Sequence, residues 1–288
     1  PRPSEPVPAS DGGAGTLWAL VGEGMRRARQ ADLVGASKGF EAALRRCGYV
    51  NQAGLYIQLD RELSLELNPA CLAALYELGK VLCEAGTYSD ALKYFVMASQ
   101  MAPPACSQQL RLQQAWCTWR QGKLAEAAEM YGSILDDDAL CWQALLDRAR
   151  MYLSTGRWED GRLDLSLVLG MGRGSAEILN DRGVCLYELG QYEQALVDIN
   201  QALSLDEAYC QAYTNRGNCL RKQALHREAM EAYSKAIELA PHDAKAFNNR
   251  GALALKMNRR GCLTTHAPCP TPYAPRPMPH PTRPTHPA

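Results

Sequence analysis

Residues 209–243 read YCQAYTNRGNCLRKQALHREAMEAYSKAIELAPHD, and the fold follows from this stretch. Its apolar and small residues fall at helical spacing in two runs, and Pro241 closes the second. Gly217 lies in the first run and Ala229 in the second, with Tyr233 four residues further on. The same places recur along the chain. Gly183 and Gly251 lie 34 residues to either side of Gly217, and Ala149 and Ala115 extend the row upstream. Small residues also recur at Ala127, Gly161, Ala195 and Ala229, each followed four places later by Tyr131, Leu165, Ile199 or Tyr233. Gly122, Gly156 and Gly190 punctuate the middle of the units. A fixed period of this length is the signature of a repeat architecture.

The period has a physical reading. Each unit is two amphipathic helices of about 12–14 residues joined by a short turn. Small residues on both helices let the backbones approach closely, and the large apolar residue fills the gap toward the next unit. One helix pair cannot bury its apolar face alone, so the units must stack.

These residues resemble the tetratricopeptide repeat family, whose unit is 34 residues long. Residues 209–243 carry Tyr213, Gly217, Ala229, Tyr233, Ala236 and Pro241 at the family spacings. The unit from Ala176 to Tyr209 follows the pattern with Glu207 in the usual Pro place. Upstream, Gly79, Tyr88, Ala91, Phe95, Ala98 and Pro103 form another unit, two residues out of phase, so Cys106 and Ser107 read as an insertion. Leu20, Gly24, Ala36, Phe40 and Ala43 fit near the start. The resemblance implies an all-α fold, a right-handed superhelical solenoid of antiparallel helix pairs over residues 17–261. Its units are about 17–50 (degenerate), 51–71 (one extra helix), 72–105, 108–141, 142–175, 176–209, 210–243 and a truncated 244–261. That last helix reads either as a polar cap or as the cut end of a longer solenoid.

Proline partitions the chain. Of 17 prolines, only Pro69, Pro103, Pro104 and Pro241 fall between residues 9 and 267. Since an interior proline costs a helix about 3 kcal/mol, the middle can be helical and the ends cannot. Residues 1–16 read as a disordered lead-in, and 262–288, rich in Pro, Thr and His, as a disordered tail. The chain opens at Pro1, not Met, and reads as a fragment or processed product.

Composition excludes several functions. Lys plus Arg and Asp plus Glu each total 31, which provides no general basic field for a nucleic acid backbone. No apolar run reaches the roughly 18 residues of a membrane span. The eleven cysteines include no CxxC and no Cys pair with a His at zinc-ligand spacing; Cys262 and Cys269, with His266 between them, read as a loose metal scavenger rather than a built site. Cys117, Cys185 and Cys219 share one place, two residues after the small residue of the first helix, and read as small buried hydrophobes in a reducing compartment. Neither a nucleotide-binding glycine motif nor a hydrolase or metalloprotease motif occurs. Gly170–Glu177 (GMGRGSAE) reads as a linker. The expectations are no catalytic activity, no cofactor, no metal and a cytoplasmic location, with a ciliary or other assembly-associated pool as an extension.

In this family the first helix of each pair lines the concave groove, and helical spacing selects the side chains there. The candidate partner-binding residues are Trp116, Trp119, Arg150, Asn180, Tyr187, Asn215, Asn218, Arg221, Lys222, Lys245, Asn248 and Asn249. Tyr76, Lys80, Gln109, Gln113, Asp147 and Asp181 belong to the same face. Trp116 and Trp119 read either as an aromatic anchor for a ligand or as wedges between units. Amides both donate to and accept from a peptide backbone, so the Asn-rich and basic C-terminal half suits an extended, acidic segment. Arg148, Arg182, Arg216 and Arg250 recur every 34 residues, and Asp164 and Asp198 on facing helices predict internal ion pairs.

The resulting expectation is a non-enzymatic scaffold holding a peptide or helix of a partner protein, with self-association open through the solenoid end. A regulatory or substrate-recruiting arm of a larger enzyme is the first alternative. The second is a co-chaperone with a degenerate carboxylate clamp. Asn215 and Lys245 match that clamp, whereas Asn180, Val184 and Asn249 depart from it. The Asn ladder of the sugar-transferase solenoid is matched by Asn215 and Asn249 but not by Asp147 and Asp181.

Overall fold

The computed structural model describes residues 12–46 and 69–265, and all the regular structure there is helical. The chain divides into two compact units, residues 1–174 and 175–288. The first holds α1 (Gly12–Arg29), α2 (Leu33–Arg46), α3 (Pro69–Glu84), α4 (Tyr88–Met101), α5 (Pro104–Arg120), α6 (Leu124–Asp137), α7 (Trp142–Ser154) and α8 (Trp158–Gly170). The second holds α9 (Ala176–Glu188), α10 (Tyr192–Leu205), α11 (Cys210–Lys222), α12 (His226–Leu239) and α13 (Ala244–Thr265). Within each unit, helices pack on their chain neighbours, and first helices of successive pairs also meet, as in α5 with α7 and α9 with α11.

The pairs close through one steric device. A Cβ built on Gly217 would sit 2.5 Å from the Tyr233 ring, and one on Gly79 would sit 2.6 Å from the Phe95 ring. Gly24 against Phe40 (2.7 Å) and Gly183 against Ile199 (2.8 Å) repeat the arrangement. Each large residue lies sixteen places after its small partner, and Ala115 with Tyr131 and Ala149 with Leu165 keep that spacing. All six large residues are fully buried. Burying such a side chain is worth roughly 1.5–3 kcal/mol, and the close backbone approach makes that burial complete.

The turn inside each pair is also conserved in geometry. Gly86, Gly122, Gly156 and Gly190 adopt φ of 75° to 84°, a region glycine enters without a Cβ penalty. The following amide then reaches back five residues, as Gln191 N–H does to Leu186 O at 2.8 Å, which caps the first helix. Ala224 holds the same place one period after Gly190, with φ 64° and the bond from Leu225 to Leu220 at 3.0 Å. Between pairs, Asp138 and Asp206 each accept the amide two residues ahead, at 3.1 and 2.9 Å. Ser175 accepts from Ile178 N–H at 3.3 Å and caps α9, so of the expected Gly170–Glu177 linker only residues 171–175 lie between helices, Gly170 ending α8 and Ala176 opening α9.

Several boundaries shift from the sequence expectation. Helix α1 starts at Gly12, inside the stretch expected as a lead-in, and α13 runs to Thr265, into the expected tail. Cys106 and Ser107, expected as an insertion between repeats, lie within a helix. They lengthen α5, which Pro103 and Pro104 open with the proline fixed at φ −62° where a helix start needs no N–H. The extra helix expected over 51–71 falls mostly outside the described residues; its end, from Pro69, opens α3. The tail from 266 onward also lies outside them.

Cys117, Cys185 and Cys219 are buried thiols, as expected. Cys71 departs from that expectation: it is disulfide-bonded.

Candidate functional site

In the second unit the first-helix face is an amide ladder. The Asn215 amide donates to the Asn180 oxygen at 2.8 Å, so α11 is tied to α9. Asn249 of α13 donates to the Asn218 oxygen at 3.1 Å, and Tyr233 O–H donates to the same oxygen at 2.8 Å. Asn180 is only 1% exposed, so it stands behind the surface and positions Asn215. Asn215, Asn218 and Asn249 are half-buried; Asn215 and Asn249 keep donor and acceptor capacity beyond these bonds, whereas Asn218, its oxygen accepting twice, keeps its two N–H donors. Lys222, Lys245 and Asn248 are exposed around them. Lys222 Nζ lies 5.8 Å from the Tyr187 ring centroid and 5.9 Å from that of Tyr192, whose rings are 5.5 Å apart. Arg221 is half-buried, and burial pushes the Tyr233 hydroxyl's pKa up against the opposing pull of the Arg221 guanidinium.

The first unit carries a different face. Gln109 donates to the Tyr76 hydroxyl at 3.3 Å, and Lys80 sits 5.6 Å from the Tyr76 ring centroid. Trp116 and Trp119 turn to opposite sides. Trp116 packs on the core of α1–α5 and meets Tyr88 edge-on at 5.5 Å, with the Arg120 guanidinium over both rings. Trp119 packs on the core built by α5, α6 and α7. Both are half-buried, a placement that fits wedges between helix pairs.

Beside them lies a polar knot. Burial raises the Asp147 carboxyl to about 6, against the pull of Arg150, from an ordinary value near 3.8. Burial, with the Asp147 charge second, pushes the Tyr131 hydroxyl up. The Tyr131 oxygen is buried with no hydrogen-bond partner among the described residues, unlike the Tyr233 oxygen three units later in the same repeat place.

The arginine row is structural where Asp faces it. Arg148 grips Asp164 through two bonds of 2.8 Å, and Arg182 grips Asp198 through two of 2.7 Å. Both aspartates are buried, and paired bidentate geometry is what permits a carboxylate there. Arg250 instead donates to Ser234 at 3.2 Å. Sequence reasoning missed Tyr88, Tyr192 and Arg120 as partners of the face. It also missed that Cys83 and Cys117, one period apart, bring their sulfurs together at 3.4 Å. Among the described residues, no three His, Cys, Asp or Glu converge as a metal site, and no helix is long and apolar enough to cross a membrane.

Stacked helix pairs closed by a small–large contact define a helical repeat protein. Tetratricopeptide repeat models match residues 176–209 and 210–243, and a second model of that repeat matches residues 112–176. Residues 112–243 of the chain are thus tetratricopeptide repeats. Solved structures share the fold. A tetratricopeptide repeat protein from Parabacteroides merdae superposes with a TM-score of 0.63 at 18% identity, over 86% of this chain and 90% of that one. A chain of the APC/C hetero-tetramer Cut9–Hcn1 gives 0.63 at 11% identity, over 82% of this chain and 42% of its own. MamA from Desulfovibrio magneticus RS-1 gives 0.53 at 15% identity, over 60% of this chain and 97% of that one. No curated protein matches the sequence.

Proposed function

We propose that this chain is a non-enzymatic interaction scaffold whose first-helix face in residues 175–288 holds an extended, acidic segment of a partner protein. The amide ladder carries this reading. Asn215, Asn218 and Asn249 are held at fixed positions by bonds to one another's helices and keep free amide capacity. A peptide backbone needs donors and acceptors in such a row. Lys222, Lys245 and Arg221 surround the ladder and favour an acidic sequence, which sets selectivity and salt dependence. Tetratricopeptide repeats support the coarser reading as a protein-interaction module.

The test is selection from a displayed library of peptides on the purified chain, followed by affinity measurement of the winners. The combined variant Lys222→Ala, Lys245→Ala and Asn248→Ala removes only exposed side chains, and circular dichroism checks its fold. Acidic extended winners that lose at least tenfold in affinity on the variant support the reading. Winners without acidic residues, or affinities unchanged by the variant, overturn it.

A further inference from the structure

Cys83 and Cys117 lie 34 residues apart, and their Sγ atoms are 3.4 Å apart, one thiol hydrogen-bonded to the other. Cys83 stands at the C-terminal end of α3 and is half-buried, whereas Cys117 is buried in α5. Two first helices of successive pairs therefore present their sulfurs to each other, with one of the two open to solvent. A disulfide holds its sulfurs at about 2.05 Å, so the pair is roughly 1.4 Å from bonding distance. Among the described residues, Cys106 is more exposed and Cys210 comparably so, yet neither has a second thiol hydrogen-bonded to it.

We propose that Cys83 and Cys117 are a redox modification site, at which a hydroperoxide oxidises the pair to a disulfide stapling α3 to α5. The thiols divide the work. Cys83 is half-buried and meets the oxidant from solvent, whereas Cys117 is buried, and burial pushes its thiol up. Cys83 is thus the thiolate that attacks. Its sulfur bonds to one peroxide oxygen, the O–O bond breaks, and the other oxygen leaves as water once protonated. Cys83 is then a sulfenic acid. The Cys117 sulfur attacks Cys83 Sγ, the S–O bond breaks, and the departing hydroxyl takes the Cys117 proton as a second water. Two thiols and one hydrogen peroxide become one disulfide and two waters, and a dithiol reverses the step.

Trp116 flanks Cys117 in sequence and Trp119 lies two residues on, so the staple has an optical reporter.

The experiment treats the folded chain, reduced with dithiothreitol and desalted, with graded hydrogen peroxide, then alkylates and maps the peptides by mass spectrometry. The expected product is a Cys83–Cys117 cross-linked peptide two hydrogens lighter than its parts. It forms at lower peroxide than any oxidation of Cys106, quenches tryptophan emission, and is reversed by dithiothreitol. The Cys117→Ser variant should lose the cross-link and accumulate a Cys83 sulfenic acid trapped by dimedone. Oxidation of Cys106 before Cys83, or a Cys83 sulfinic acid with Cys117 still alkylated as a thiol, overturns the proposal in the wild-type chain alone.

Discussion

Gly217 shows how much of this fold rests on the absence of one methyl group. With Tyr233 only 2.5 Å from where a Cβ would stand, Gly217→Ala should destabilise the chain by about 1–3 kcal/mol. Adding Tyr233→Leu should recover part of that loss, because Ala149 with Leu165 already works at the same spacing; a double-mutant cycle in urea measures both. Two buried tyrosines in equivalent places make a second contrast. Tyr131 has an unpartnered oxygen while Tyr233 donates to Asn218. Tyr131→Phe should therefore be neutral or stabilising, and Tyr233→Phe should cost about 1 kcal/mol. Asp147 adds a pH dependence. Its carboxyl is raised to about 6 in the fold, so between roughly pH 4 and 6 the folded state keeps a proton that the unfolded chain has lost. Stability should fall as pH rises through that window. Asp147→Asn should remove this slope and stabilise the chain at neutral pH by roughly 1–3 kcal/mol, as denaturant melts across pH will show.

At the scale of the helix, the turn inside each pair is where sequence and geometry disagree most usefully. Ala224 adopts the left-handed backbone that Gly122, Gly156 and Gly190 adopt in the same place. The cost of a Cβ in that region is about 1 kcal/mol, so Ala224→Gly should raise stability by up to that amount and raise the melting temperature of the second unit. The helix pairs themselves were legible in the sequence because close approach demands the same small residue at every period, and that demand is local. The termini of α5 and α13 were not. Proline at 103 and 104 reads as a stop, but two prolines at a helix start are compatible with continuing, and α5 absorbed Cys106 and Ser107 as an extra half turn.

The candidate face was only partly legible, for a reason visible in three residues. Helical spacing assigns a side chain to a face but not to a depth. Asn180 and Asn215 are 35 residues apart, one off the period, and the offset buries Asn180 while leaving Asn215 half-exposed. Trp116 and Trp119, one turn apart, were drawn apart by the two cores that flank α5. The ion pairs of Arg148 and Arg182 could be read in advance because acid and base recur at the same spacing as the packing residues.

At the scale of the whole molecule, cohesion within each compact unit passes from a helix pair to the next. Amides in α13, which packs on α12 and α11, should exchange faster with deuterium than those in α11, which has neighbours on both sides. Mass-resolved exchange of the native chain measures this. The sixteen-residue reach of every small–large contact has a further consequence for how the molecule comes into being. A growing polypeptide completes such a contact as soon as the second helix of a pair leaves the ribosome, with no wait for distant sequence. Synthesis and assembly can then proceed in step, each finished pair serving as the template on which the next one docks.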